Sequence, residues 1–264
     1  MNMQLLCVTA FIMMALGSTE YFYINNLACK LQIPSTTAKN AVIISHGLFS
    51  HKEDLFIPDI CDALGSFDIA CLSFDSSGCG NSSGNATYST MPSDIKELNS
   101  VYLELEQRNF NVMAFIGHSK GACNVVLYGS RFQSPPVVIT IAGRGDFINE
   151  KQRFSDEQML LLETQGYFDW TTARGTIRVT KDDLKRRKKI DISSAIQKSR
   201  NTKFLFVHGT RDHTVPFNDV YIHFNACEDD MDCSLKVVEG ANHGFTNHKM
   251  ELIEGICDFI KSFL

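Results

Sequence analysis

Ser119 is the residue in this sequence with the clearest potential for covalent chemistry, because it lies in the pentapeptide Gly117–Gly121. A serine hydroxyl is a weak nucleophile that attacks a carbonyl only when it is exposed and placed beside a base. The apolar run 111–116 predicts a buried strand before Ser119, and the apolar run 122–128 predicts a packed helix after it. We therefore predict a sharp strand-to-helix turn, in which the two glycines let neighbouring backbone approach closely. The alternative is that Ser119 only caps the helix.

A serine nucleophile needs a general base, and the base needs a carboxylate that orients it. His243 follows a predicted strand at 234–239, and Asp212 follows a predicted strand at 203–208. Because parallel strands present their functional loops at their carboxyl ends, both residues are expected on the same edge of a sheet as Ser119. We therefore predict that Ser119 is the nucleophile, His243 the base and Asp212 the orienting acid.

Each of these assignments has an alternative. Asp212 could be a turn residue that binds its own backbone, and His243 could be a structural surface histidine. Asp146 also follows a predicted strand, at 137–141, and is the rival acid. Four further histidines flank the motifs, and we interpret them as hydrogen-bonding scaffold residues: His46, His118, His208 and His213.

Acyl transfer also needs donors for the oxyanion of the tetrahedral intermediate. One predicted donor is the backbone N–H of Lys120, the residue after the nucleophile. The other is the backbone N–H of Leu48, in the loop that follows a predicted strand at 41–45. The side chain of Lys120 is expected to point away or to lie over the helix start, with direct contact to substrate as the alternative.

The elements that must position these residues alternate between short strands and helices, which predicts an α/β fold with a mostly parallel sheet. Two of the predicted helices span about 52–64 and 215–225. Between about 144 and 196 the alternation stops, and we predict a small lid inserted after the sixth strand. Aromatic side chains of this segment either line a pocket or only pack the lid: Phe154, Tyr167, Phe168 and Trp170.

Composition and charge limit the function further. The chain has 264 residues and a net charge of −5, which is compatible with one domain and gives no reason to expect a nucleic-acid partner. The basic run Lys185–Lys189 is expected to be a solvated helix face. No cysteine pair has zinc-site spacing, so no metal site is predicted, and serine chemistry requires no cofactor. The sequence does not indicate an oligomeric state.

Residues 1–17 precede the predicted domain, which spans 18–264. The apolar run Leu5–Leu16 is too short to span a bilayer and has the length of a signal-peptide core, although no Lys or Arg precedes it. We interpret 1–17 as a cleaved signal for secretion, and the alternative is an apolar segment packed on a cytoplasmic protein. Cys227 and Cys233 flank an acidic turn and could form a disulfide.

Five ordered motifs carry a family resemblance: 45–52, 74–84, the Ser119 pentapeptide, the Asp212 loop and the His243 loop. Together they resemble the α/β-hydrolase superfamily, in particular its small serine-aminopeptidase-like (S33-type) and feruloyl-esterase-like branch. The resemblance covers residues from about Tyr21 to the C-terminus. The chain departs from the commoner pattern at Ser76 and Ser77, where relatives often have Arg or Asn before the glycine.

The resemblance implies the α/β-hydrolase fold and the chain order nucleophile, acid, base that Ser119, Asp212 and His243 follow. Together, the residues and the resemblance predict a serine esterase that acts on a small-molecule ester with a small or medium acyl group. A peptidase or amidase with the same triad is one alternative. The other alternative is a non-catalytic small-molecule receptor on the same fold.

Overall fold

The computed structural model describes residues 17–89, 91–132, 134–149, 153–172 and 174–264, and its centre is an eight-stranded sheet. A separate two-stranded sheet lies in the inserted segment. The strands are β1 (Ser18–Ile24), β2 (Leu27–Ile33), β3 (Asn40–Ser45), β4 (Ile69–Phe74), β5 (Asn111–His118), β6 (Val137–Ile141), β7 (Tyr167–Thr172), β8 (Gly175–Thr180), β9 (Lys203–Gly209) and β10 (Cys233–Val238).

The order of strands in the main sheet is β1-β2-β4-β3-β5-β6-β9-β10. Strands β1 and β2 pair antiparallel, β2 pairs antiparallel with β4, and the remaining neighbours pair parallel. The sheet is therefore mostly parallel, as predicted. The consequence for the site is that β3, β5, β9 and β10 all end at the same edge.

Helices cover both faces of the sheet. The described helices, of which α4 and α5 lie in the inserted segment, are α1 (Ile57–Gly65), α2 (Met91–Gln107), α3 (Lys120–Gly129), α4 (Asp156–Gln165), α5 (Lys181–Arg187), α6 (Ile192–Lys198), α7 (Asp219–Phe224) and α8 (Lys249–Lys261). The apolar sides of α1 and α8 pack in one core cluster, whereas those of α2, α3, α6 and α7 pack in another. Alternate residues of a strand belong to different clusters, as shown by Ile43 and Ile44 of β3, because successive side chains point to opposite faces.

The segment between β6 and β9 contains α4, the β7–β8 hairpin, α5 and α6. Its first part has an apolar cluster of its own, which includes Phe154, Phe168 and Leu184. In contrast, Ile192 and Ile196 of α6 belong to the main core cluster. The separately packed part of the insertion therefore ends before α6.

Two helices begin later than the sequence pattern predicted. Helix α1 starts at Ile57 rather than near residue 52, because Lys52 is held by Asp75 and Pro58 fits only the first helical turn. Helix α7 starts at Asp219 rather than at Val215, whose N–H binds the Asp212 carboxylate. In both cases an aspartate side chain, Asp75 or Asp212, accepts a hydrogen bond from backbone that could otherwise have been helical.

Predictions outside the core have different outcomes. Cys227 and Cys233 form a disulfide across the acidic turn. The basic run is not fully solvated, because Arg187 is buried and its guanidinium lies 4.4 Å from the centre of the Tyr88 ring.

Residues 1–16, which contain most of the predicted signal, lie outside the described residues. Among the helices that are described, none has both the length and the apolar character needed to cross a membrane.

Candidate active site

Ser119 occupies the predicted turn between β5 and α3 with φ 55° and ψ −113°. This left-handed backbone conformation is strained for a residue with a Cβ. Backbone strain of this kind is concentrated at functional sites. A Cβ on Gly117 would lie 2.3 Å from the carbonyl oxygen of Gly121, and one on Gly121 would lie 2.1 Å from that of Ser45. Both glycines are therefore required by close backbone. Within the described residues the Ser119 hydroxyl makes no capping hydrogen bond, which disfavours the helix-cap alternative.

Asp212 and His243 are joined by a hydrogen bond of 2.7 Å between Oδ2 and Nδ1. The other carboxylate oxygen of Asp212 accepts from the N–H groups of Thr214 and Val215, at 2.8 and 2.9 Å. Burial raises the pKa of Asp212, but the hydrogen bonds from His208 and His243 outweigh it and hold that pKa well below its usual value. The carboxylate is therefore ionised at neutral pH and can orient the imidazole.

His208 contacts the Asp212 carboxylate. Its Nε2 lies 3.2 Å from Asp212 Oδ2 and 3.2 Å from the carbonyl oxygen of Val215. Its Nδ1 is buried and has no hydrogen-bond partner among the described residues. His208 therefore contacts both the Asp212 carboxylate and the loop that follows it, which fits the predicted scaffold role.

His118 holds the backbone of the neighbouring histidine. Its Nε2 donates to the carbonyl oxygen of His243 at 2.9 Å, and its ring packs against Phe56. Burial, together with the nearby His243, lowers the pKa of His118 to about 3. His118 is therefore a neutral donor that fixes the His243 loop, also a scaffold role.

Two buried histidines predict how stability depends on pH. Burial lowers the pKa of His223 to about 4 and that of His118 to about 3, both below the unfolded value of about 6.5. The unfolded chain therefore takes up protons first as pH falls, and stability present above pH 6.5 is lost towards pH 4. We expect acidification from pH 7 to 4.5 to lower the free energy of unfolding by about 2 kcal/mol per histidine. Urea unfolding at several pH values measures this loss.

The variant His223→Gln is the control for that measurement. Glutamine can still donate to the carbonyl oxygen of Arg144, which His223 Nε2 contacts at 3.0 Å, but it does not titrate. The variant should therefore lose less stability on acidification than the wild type. An identical loss in both proteins would show that His223 does not contribute to acid sensitivity.

The rival acid, Asp146, is hydrogen-bonded within its own loop. Asp146 Oδ1 accepts from the N–H groups of Ile148 and Asn149, and its other oxygen accepts from the Asn149 side chain. Both carboxylate oxygens of Asp146 therefore accept hydrogen bonds from its own loop, and the geometry favours Asp212 as the orienting acid. His46 also has a scaffold position: its Nδ1 contacts the carbonyl oxygen of Gly47 at 2.7 Å, and its Nε2 accepts from Ser76 N–H.

The two residues predicted to supply oxyanion donors belong to segments that adjoin Ser119. Lys120 is the first residue of α3, and Leu48 lines the same cavities as the serine. A Cβ on Gly47 would lie 3.2 Å from the Cβ of Ser119, which shows how closely the Leu48 loop approaches. The Lys120 side chain forms a 2.6 Å ion pair with Asp94, and both side chains are largely buried.

A second buried ion pair was not foreseen from the sequence. Lys52 Nζ lies 2.9 Å from Asp75 Oδ2, and both side chains are almost inaccessible to solvent. Asp75 also accepts from the N–H groups of Lys52 and Asn81. The carboxylate thereby joins the loop after β3, which carries Leu48, to the loop after β4. Both residues lie in the motifs that carry the family resemblance, and that is the signal from which a positioning role could have been inferred.

Ser119 and His243 line one cavity of about 750 Å³, together with Leu48. Further lining residues that the sequence did not single out are Arg144 and Arg153. Of the four aromatic residues of the insertion, Trp170 lines this cavity, whereas Phe154 and Phe168 are buried in the insertion's own cluster. Tyr167 packs under the guanidinium of Arg178. Within the described part of the chain, no group of His, Cys, Asp or Glu is arranged to hold a metal.

Two family models match this chain. The model of the prolyl oligopeptidase family matches residues 107–264, and the model of serine aminopeptidase, S33, matches residues 36–143. No curated protein is significantly similar in sequence.

Several solved structures are similar in fold at low identity. Est1E from Butyrivibrio proteoclasticus, solved with ferulic acid bound, superposes with a TM-score of 0.76 at 19% identity, over 92% of this chain and 98% of that one. The esterase domain of a Rhodothermus marinus protein gives a TM-score of 0.68 at 19% identity, over 92% and 97%. Mouse alpha/beta hydrolase domain-containing protein 10 gives 0.72 at 19% identity, over 94% and 100%.

Proposed function

Because the chain belongs to the prolyl oligopeptidase family, within the α/β-hydrolase superfamily, we propose that it is a serine hydrolase that cleaves carboxylic esters. The predicted α/β-hydrolase fold is confirmed by the structural matches. Fold alone does not determine the reaction. The proposal therefore rests on the residues around Ser119.

The observation that carries the proposal is the 2.7 Å bond from Asp212 Oδ2 to His243 Nδ1, on a cavity that Ser119 also lines. A carboxylate in this position fixes the imidazole in the tautomer that protonates Nδ1 and leaves Nε2 free to accept a proton. Strain at Ser119 presents its hydroxyl at the same cavity. These features support a nucleophile, a base and an acid in those roles.

In the proposed mechanism His243 takes the proton from Ser119 Oγ as this oxygen attacks the ester carbonyl carbon. The N–H groups of Leu48 and Lys120 stabilise the resulting oxyanion, and the positive end of α3 assists them. The alcohol leaves with the proton from His243, and an acyl-enzyme remains. A water molecule activated by His243 then hydrolyses the acyl-enzyme, so the cycle needs no cofactor.

A peptidase is the second candidate, because the family model matching residues 107–264 is named for oligopeptidases. The same three residues can cleave an amide, so the triad does not distinguish the two reactions. Ester cleavage is favoured by the structurally similar Rhodothermus marinus domain, which is named an esterase domain, and by the ferulic acid bound to Est1E.

The test combines covalent labelling with a matched pair of substrates. A fluorophosphonate is expected to label Ser119, with the site identified by peptide mass spectrometry. The protein should hydrolyse nitrophenyl esters faster than aminoacyl-nitroanilides. Nitroanilide cleavage that exceeds ester cleavage would identify the peptidase. A protein that neither reacts with the probe nor turns over any ester would instead be a binding protein on this fold.

A further inference from the structure

Two cavities meet at Ser119. The outer cavity has a volume of about 750 Å³, and the inner cavity has a volume of about 30 Å³. Leu48, Ser119, Arg144 and Arg153 line both. A substrate whose carbonyl carbon lies at Ser119 Oγ can therefore place one substituent in a large space and the other in a very small one.

The position of His243 determines which substituent enters which cavity. His243 lines the outer cavity, and it is not among the described residues that line the inner one. The oxygen of the leaving alcohol must receive its proton from His243, so it has to lie within hydrogen-bond reach of that ring. The alcohol therefore occupies the outer cavity, and the acyl group points into the inner cavity.

The walls of the inner cavity are firmly packed. Tyr88, Met91, Cys123 and Val215 are all buried, and the buried Arg187 donates to the carbonyl oxygen of Tyr88 at 3.0 Å. A well-packed interior does not yield readily to an added methylene. A volume of about 30 Å³ has room for about one or two groups of the size of a water molecule, so we expect the methyl group of an acetyl to fit better than a longer chain.

We propose that the substrate is an acetate ester of a bulky alcohol, an assignment that rests on the proposed esterase function. Ser119 Oγ bonds to the acetyl carbon as the bond from that carbon to the alcohol oxygen breaks. The alcohol leaves with the proton that His243 took from the serine. Water then releases acetate and restores the Ser119 hydroxyl. The outer cavity, with Trp170 on its wall, accommodates the alcohol.

The wild-type protein tests the proposal with 4-nitrophenyl acetate, butyrate and octanoate, which share one leaving group and differ only in the acyl chain. We expect kcat/KM to fall on the order of tenfold or more from acetate to butyrate, and further to octanoate. Methyl ferulate reverses the arrangement, with a bulky acyl group and a small alcohol, and should be a poor substrate.

Butyrate hydrolysis as fast as acetate hydrolysis would overturn the acetate assignment and leave the esterase proposal standing. Faster cleavage of methyl ferulate than of 4-nitrophenyl acetate would do the same. Absence of turnover with every ester, together with absence of labelling at Ser119, would overturn the esterase itself. The two failures are therefore distinguishable.

A variant tests whether the inner cavity is the cause of the preference. Met91→Ala removes a buried side chain from the inner wall and should raise the butyrate-to-acetate ratio of kcat/KM by about tenfold. Met113→Ala is the matched control, because Met113 is also buried but packs in the core cluster on the other face of the sheet. The control should lose comparable stability and keep the wild-type ratio.

An unchanged ratio in folded Met91→Ala would contradict acyl binding in the inner cavity. If that variant does not fold, Val215→Ala enlarges the same cavity and keeps the backbone N–H that binds Asp212. The ratio for Val215→Ala then decides the question in the same way.

Discussion

Ser119→Gly is expected to be inactive and yet more stable than Ser119→Ala. Both substitutions remove the nucleophile, so kcat for ester hydrolysis should fall by about 10⁴-fold or more in each. Only glycine also relieves the backbone, because φ 55° with ψ −113° is a conformation that residues with a Cβ rarely adopt. The pair therefore separates the chemical role of the hydroxyl from the strain of the turn that presents it.

The expected size of the stability difference follows from two opposing terms. Relief of strain is worth about 1–3 kcal/mol, and the greater freedom of glycine in the unfolded chain offsets about 0.5–1 kcal/mol of it. The net gain of about 1 kcal/mol corresponds to a Tm about 2–4 °C higher for Ser119→Gly than for Ser119→Ala. Thermal unfolding measured by circular dichroism tests this difference. Equal Tm values would mean that the turn at Ser119 is not strained.

The strain is maintained because other parts of the fold fix the turn. Gly121 lies against the carbonyl oxygen of Ser45 at the end of β3, and Ser119 N–H donates to the carbonyl oxygen of Ile141 at 2.8 Å. The turn is therefore held by both strands that neighbour β5. These contacts fix the backbone of the turn, and fixed positioning of this kind is what the proposed attack by Ser119 requires.

The sequence predicted the parts of the site that depend on local pattern. The apolar runs and glycines around Ser119 fix a strand, a turn and a helix, and the strand ends before Asp212 and His243 place both residues at one edge of the sheet. These features depend on the spacing of apolar residues and on glycines that the backbone requires, and both can be recognised in the sequence.

The sequence did not reveal contacts between distant segments. Lys120 and Asp94 lie on different helices, and the pairing of Lys52 with Asp75 spans two loops, so neither ion pair has a local pattern. The start of α1 was misplaced for the same reason, since the contact from Lys52 to Asp75 competes with helix formation. The burial of Arg187 likewise depends on Tyr88, which lies far away along the chain.

Asp212→Asn is expected to lower kcat for ester hydrolysis by about 10⁴-fold while the fold stays intact. The amide oxygen of asparagine can still accept from the N–H groups of Thr214 and Val215, so the loop keeps its anchor. The amide NH₂ would face His243 Nδ1, which then has to accept rather than donate, and the imidazole is held in the tautomer that cannot act as the base. Stopped assays of kcat with 4-nitrophenyl acetate, together with circular dichroism spectra, measure both parts of the expectation.

Asp146→Asn is the matched control, because Asp146 is the rival carboxylate and follows β6 of this sheet. Its contacts to Ile148 and Asn149 are local, so the same chemical change should cost less than about tenfold in kcat. A loss in Asp146→Asn equal to that in Asp212→Asn would contradict the assignment of the acid. A large loss in Asp212→Asn alone would identify Asp212 as the carboxylate that orients His243 to accept the proton from Ser119. Hydrogen bonds from His208 and His243 keep that carboxylate ionised.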